Sequence, residues 1–164
     1  MIKIIGVVIL SISSIVIGLS FYEKYKRRPD SLLMFIDLIN NYQLRLKMER
    51  KSFSDILFMI DKSDEYIIEC KKQARNNLSL GCAMITENSH FEELMLSNDD
   101  KTILLNFFNK TGNGSFNDEV TLCTDSLNAL NLQLTNSKDI FNKTGVFSIK
   151  FALAIALWIA IILL

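Results

Sequence analysis

The side chains able to serve as nucleophile, general base or metal ligand are few and far apart in this chain. His90 is the single histidine, and its neighbours Ser89, Phe91, Glu92 and Glu93 offer no metal-ligand spacing, whereas a zinc site needs three or four such groups converging. Cys70, Cys82 and Cys123 are odd in number and contain no C-x-x-C pair, so they read as reduced, small apolar fillers, not a disulfide frame or zinc site. Only Lys71 and Lys72, beside Cys70, would lower a thiol pKa, and a solvated helix face accounts for them. The carboxylate pairs Asp99-Asp100 and Asp118-Glu119 stand at expected helix starts, where they complement the helix dipole. No G-x-x-x-x-G-K-[ST] phosphate loop or G-x-G-x-x-G turn is present, and Gly112-Asn113-Gly114 lies in a polar link with no strand before it. The chain is therefore expected to be no enzyme and to use no cofactor or metal.

Charge is distributed in a way that suggests binding instead. Arg45, Lys47, Arg50 and Lys51 gather near the end of one expected helix, as solvated helix-end charge or as a docking patch for an acidic partner. A second group, Lys24, Lys26, Arg27 and Arg28, with Lys143 far along the chain, borders two greasy ends. Between Pro29 and Gly145 there remain 12 basic and 17 acidic residues, so this middle region is about five charges negative although the whole chain is neutral. That balance disfavours nucleic acid, which needs clustered Lys and Arg against its phosphates. Four N-x-S/T matches, starting at Asn77, Asn109, Asn113 and Asn142, are chance occurrences in an Asn-rich chain.

The ends read as membrane anchors. Ile4 to Phe21 carries no charge and Val146 to Leu164 holds only Lys150. As helices they reach roughly 27 and 28 Å, against a hydrocarbon core of about 30 Å. The first run begins like a secretory signal, but it is longer than a usual apolar core, no small-x-small site follows, and the basic cluster sits where cleavage would fall. An uncleaved anchor is expected, and Lys150 can snorkel to the headgroups. Lys24, Lys26, Arg27, Arg28, Lys138 and Lys143 flank the anchors on the inner side and only Lys3 on the outer, which places the middle region in the cytosol.

What must position any site is helical almost throughout. Leu32, Ile36, Ile39, Tyr42 and Leu46 form one stripe from about Asp30 to Glu49. Ser52 with Asp55 opens a short helix bearing Phe53, Ile56, Leu57 and Ile60, and Ser63 opens another bearing Tyr66, Ile67, Cys70 and Ala74. A weaker segment follows between Leu80 and Glu87, and Ser97 or Asn98 opens one with Ile103, Leu104, Phe107 and Phe108. Val120, Leu127, Leu134 and Phe141 fall seven apart, interleaved with Cys123, Leu130 and Ser137; this is a three-heptad coiled coil or the longest helix of a compact bundle. Pro29 marks a break after the first anchor. The string Phe108-Asn109-Lys110-Thr111-Gly112 recurs as Phe141-Asn142-Lys143-Thr144-Gly145 and is read as one helix-stop signal used twice, with a joint at Gly145. No segment has strand patterning. The expected fold is all-α: an anchor and basic flank at residues 1–28, a bundle of about six helices at 29–145, and a transmembrane helix at 146–164.

Lys3-Ile4-Ile5-Gly6, Ser13-Ser14, Gly18, Tyr25-Lys26-Arg27-Arg28-Pro29 and Leu32 resemble the start of the stage III sporulation protein AB family. Leu96-Ser97-Asn98-Asp99-Asp100-Lys101-Thr102-Ile103-Leu104-Leu105 and Gly145-Val146 are similar to its later motifs, whereas Lys51-Ser52-Phe53, Cys82 to Thr86 and Thr111 to Ser115 depart from its usual pattern. The resemblance implies a scaffold in the mother-cell membrane around the forespore, within a channel-like, secretion-like complex. It also implies a cytosolic domain similar to that of the type II secretion and type IV pilus platform protein, which couples to a cytosolic ATPase. Implied partners are other membrane subunits and such an ATPase; the juxtamembrane basic cluster adds anionic membrane lipid, and a second copy of the chain is a further candidate. The alternative is a membrane-anchored ligand-binding sensor or transport accessory.

Overall fold

Serine followed three residues later by aspartate starts three of the helices. Ser52 Oγ donates to Asp55 Oδ2 at 2.6 Å and accepts from the Asp55 amide. The Ser97 and Ser115 amides donate to Asp100 and Asp118, whose own amides return to the serine hydroxyls. Each reciprocal pair satisfies donors that the first helical turn leaves over. The computed structural model describes residues 2–59, 65–75, 84–85 and 90–163, and the elements are α1 (Ile2–Glu49), α2 (Phe53–Met59), α3 (Glu65–Arg75), α4 (Asn98–Lys110), α5 (Phe116–Ile140) and α6 (Val146–Leu163). A 3-10 turn covers Glu92–Leu94 and a π-helical turn Phe141–Gly145. No strand occurs among the described residues, and the fold is all-α.

These elements divide into two compact units, residues 31–134 and residues 1–30 with 135–164. The first is a helical bundle whose core is the set of stripes visible in the sequence. Leu32, Ile36, Ile39, Tyr42 and Leu46 from α1, Phe53, Ile56 and Leu57 from α2, and Tyr66, Ile67 and Cys70 from α3 are buried. So are Leu104, Phe107 and Phe108 from α4 and Cys123, Leu127, Leu130 and Leu134 from α5. The heptad residues of α5 thus face a mixed core: the helix is a long member of a bundle. An aromatic cluster sits at the centre, with Tyr42–Phe53 at 5.0 Å, Phe107–Phe108 at 5.2 Å and Phe53–Phe108 at 5.7 Å, all edge-on. Edge-to-face geometry sets each ring's positive rim against a negative face and adds about 0.5–1.5 kcal/mol per pair beyond burial. Met84 and Ile85 join this core, and the Tyr66 hydroxyl donates to the Met84 carbonyl. Ile60, the Ser63 cap, and Cys82 with most of its expected helix lie outside the described residues.

Two punctuation marks behave differently from expectation. Pro29 does not break the chain: α1 is helical through it. Proline fits helical φ, so its disruption is limited to one lost amide, which leaves the Tyr25 carbonyl without that donor, and to crowding of the same turn. The repeated string also has two outcomes. At its first copy α4 ends at Lys110 and Gly112 takes a φ of +86°, as a stop requires. At the second the backbone widens into the π-turn, with the Val146 amide donating to the Phe141 carbonyl, and continues into α6. Gly145 is not a left-handed cap; a Cβ there would come within 2.8 Å of the Phe141 ring and 3.2 Å of Tyr25 Cβ, so it is kept small by close packing.

Candidate functional site

Small residues bring two helices of the terminal unit into close contact. Ser14 Oγ donates to the Ala152 carbonyl at 3.1 Å, and a Cβ on Gly18 would collide with the Ala152 methyl and approach the Ser148 carbonyl to 3.3 Å. Tyr22 lies 5.1 Å from Phe141, and Tyr25 packs on Gly145. Higher positions on α1 thus meet lower positions on the partner, and the two helices run antiparallel. The spacing Ser14-x-x-x-Gly18 against Ser148-x-x-x-Ala152-x-x-x-Ala156 presents one small residue per turn, which lets backbones approach and gain dispersion. That spacing is a signal in the sequence, set within the apolar runs at either end.

The outer surfaces of this pair are apolar. Ile9, Ile12, Val16, Ile17, Leu19 and Phe21 on α1, and Phe147, Phe151, Leu157, Trp158 and Ile161 on α6, are exposed large hydrophobic side chains. Trp158 is 68% exposed and Ile161 77%, which water would penalise over so extended a patch. The helical run Phe116–Ile159 is long and apolar enough to cross a membrane, and only 17% of its most apolar window is buried, unlike the core helix of a soluble domain. Beside the seam runs a groove of about 630 Å³, lined by Leu10, Ile17, Phe21, Phe147, Phe151 and Ile155 among others. Exposed Lys24, Lys26, Arg27 and Lys143 lie at the end of the pair away from the chain termini, with Arg28 partly covered.

In the bundle the basic residues Arg45, Lys47, Arg50 and Lys51 separate into distinct environments. Lys51 Nζ is 2.6 Å and Arg45 3.7 Å from Glu49, and the Lys51 ammonium holds the Glu49 carboxyl below its ordinary pKa. Both cations also approach the Met59 sulfur, at 3.6 and 3.7 Å. Arg50 ends α1 with a φ of +51° and places its guanidinium 5.7 Å over the Phe116 ring. Lys47 is exposed, and its charge acts on Cys123. His90 lies 3.6 Å from Glu93, and no group of three His, Cys, Asp or Glu side chains gathers to hold a metal among the described residues.

The acidic pairs divide too. Asp99 is exposed while Asp100 is fully buried in its capping box, and Asp118 is a solvated cap held below its usual pKa by hydrogen bonds from Ser115. Glu119 does more than complement a dipole. It is buried, accepts from the Tyr42 hydroxyl at 2.6 Å and accepts from the Gly112 amide at 2.5 Å, tying α1, the link after α4 and α5 together. Burial, then the Glu119 bond and charge, raises the Tyr42 pKa. Cys123, one turn on, is pushed up to about 12 chiefly by burial, so it is an inert thiol.

A family model described as stage III sporulation protein AB matches residues 3–164. No curated protein and no solved structure matches the chain.

Proposed function

The chain belongs to the stage III sporulation protein AB family and is thus a protein of sporulation, and from that premise we propose that it is an integral membrane platform in a secretion-like channel complex between mother cell and forespore. The observation that carries the membrane part is the antiparallel helix pair: a seam of small residues inside, large apolar side chains outside and basic residues at one end. That arrangement supports two spans, with both termini on one side and the basic end at the cytosolic face, following the positive-inside rule. The helical bundle then stands in the cytosol of the mother cell, in the membrane that surrounds the forespore. It offers its surfaces to partners, which here are other membrane subunits and a cytosolic secretion-type ATPase.

Arg45 and Lys51, grouped around Glu49, are the residues proposed to meet the ATPase. The full chain, tagged and captured from sporulating cells in mild detergent, is expected to bring down other sporulation membrane subunits and an ATPase. The double substitution Arg45→Glu, Lys51→Glu is expected to lose the ATPase and keep the membrane subunits. Capture of the chain with none of these partners would overturn the platform proposal, and unchanged ATPase capture by the double variant would remove these residues from it.

A further inference from the structure

The groove beside the seam has apolar walls and a floor, and one of its ends lies near basic residues. Its floor is built where Gly18 and Ala152 let the helices meet, and its walls are Leu10, Ile17, Phe21, Phe147 and Ile155. Three hydroxyls in it are turned to the backbone: Ser13 donates to the Ile9 carbonyl at 2.9 Å, Ser14 to Ala152 at 3.1 Å and Ser148 to Thr144 at 2.7 Å. With those donors engaged, the groove presents apolar surface along its length and suits a hydrocarbon ligand. From Leu10 to Tyr25 it extends about 22 Å at 1.5 Å per residue. An acyl chain, far slimmer than a helix about 10 Å across, can lie along a groove of this length and about 630 Å³.

At its end nearest the basic residues the groove is lined by Tyr25 and Thr144. Arg28 follows Tyr25 by three residues and Phe21 by seven, Lys24 follows Phe21 by three and Ile17 by seven, so both continue the groove-lining face of α1, and Lys143 precedes the lining residue Phe147 by one turn. A hydrocarbon slot that opens between an arginine and lysines matches a chain joined to a negative headgroup. We infer that this groove is a binding site for an anionic phospholipid, one acyl chain lying along Leu10 to Phe21 and its phosphate at Arg28, Lys24 and Lys143. The inference rests on the membrane placement proposed above and adds a specific ligand to it.

The test uses the full chain purified in detergent and offered equimolar phosphatidylglycerol and phosphatidylcholine, with retained lipid counted by native mass spectrometry. Retention of phosphatidylglycerol over phosphatidylcholine is expected. Arg28→Gln and Lys143→Gln are each expected to lower that preference about fivefold, the factor that one basic side chain contributes near an anionic surface. Ser13→Trp fills the groove without entering the seam and is expected to lower retention of both lipids. Equal retention of the two lipids, retention unaffected by Ser13→Trp, or a second copy of the chain bound in place of lipid overturns the site while leaving the membrane placement intact. Recovery of the chain in the soluble fraction after lysis overturns both.

Discussion

The Tyr42 hydroxyl donates to Glu119 Oε2 at 2.6 Å inside the bundle, although the two residues are 77 positions apart. A second donor, the Gly112 amide, reaches the other oxygen of the same carboxylate, so one buried side chain fixes the first helix, the fifth and the link that joins the fourth to the fifth. Removing a single partner leaves a buried acceptor short of a donor, which costs about 1–3 kcal/mol. Tyr42→Phe is expected to lower stability by that amount with no change in helix content. Thermal unfolding of the full chain in detergent, followed by circular dichroism, measures it, and a midpoint equal to the parent's would show the bond to be dispensable.

Cys123 makes a second expectation. Its thiol is raised from an ordinary value near 9.0 to about 12, so the unfolded chain loses that proton first. The stability it contributes is complete below about pH 9 and is lost as pH rises toward 12, and the raised Tyr42 phenol acts in the same direction above its ordinary value of 10.0. The protein is expected to destabilise steadily on the alkaline side, less steeply in Cys123→Ala. Peptide-mapped alkylation at pH 8 should leave Cys123 unmodified until denaturant is added.

At the helix pair, Gly18→Val adds a Cβ that collides with the Ala152 side chain and crowds the Ser148 carbonyl, and two methyl groups beyond it. Overpacking of this kind costs about 1–3 kcal/mol. The readout is disulfide formation between cysteines introduced at Ser14 and Ala152 in an otherwise cysteine-free chain. Fast crosslinking with Gly18 present and at least severalfold slower crosslinking with Val is expected; equal rates would mean the helices do not meet through this seam.

Within the bundle, Phe107→Ala removes a ring that is wholly buried between Tyr42, Phe53 and Phe108. A loss of about 3–5 kcal/mol is expected. Ser97→Ala, which opens one capping box, is expected to cost about 1 kcal/mol. Chemical denaturation of the two variants side by side ranks them, and a reversed order would contradict the placement of the aromatic cluster at the core.

Most of this architecture was legible because it is local. Leu32 to Leu46 and Cys123 to Leu134 repeat at helical spacing, and Ser52-Asp55 and Ser97-Asp100 are caps written within four residues. What was not legible depends on neighbours distant in sequence. The two copies of Phe-Asn-Lys-Thr-Gly carry the same stop signal, yet only Gly112, followed by a polar link, becomes a stop. Gly145 is instead spoken for by Tyr25 and Phe141, and the apolar run after it continues the helix. Glu119 looked like a dipole partner because nothing near it in sequence announces Tyr42. Pro29 reads as a break from its missing amide alone, yet its φ fits a helix and α1 continues through it.

The widened turn at Phe141–Gly145 has a bearing on phase. The inward positions Ser137, Phe141, Gly145, Ser148, Ala152 and Ala156 span 19 residues in five steps, whereas five regular turns hold about 18. A π-turn absorbs one surplus residue, and here it leaves Ser137 on the same face as Gly145, Ala152 and Ala156, all of them buried. Deleting one residue inside the bulge should therefore be silent for the seam, while the same deletion after Ser148 swings Ala152 and Ala156 by roughly 100° and faces them away from Ser14. The bulge thereby sets the rotational register of the small-residue face that meets Ser14 and Gly18.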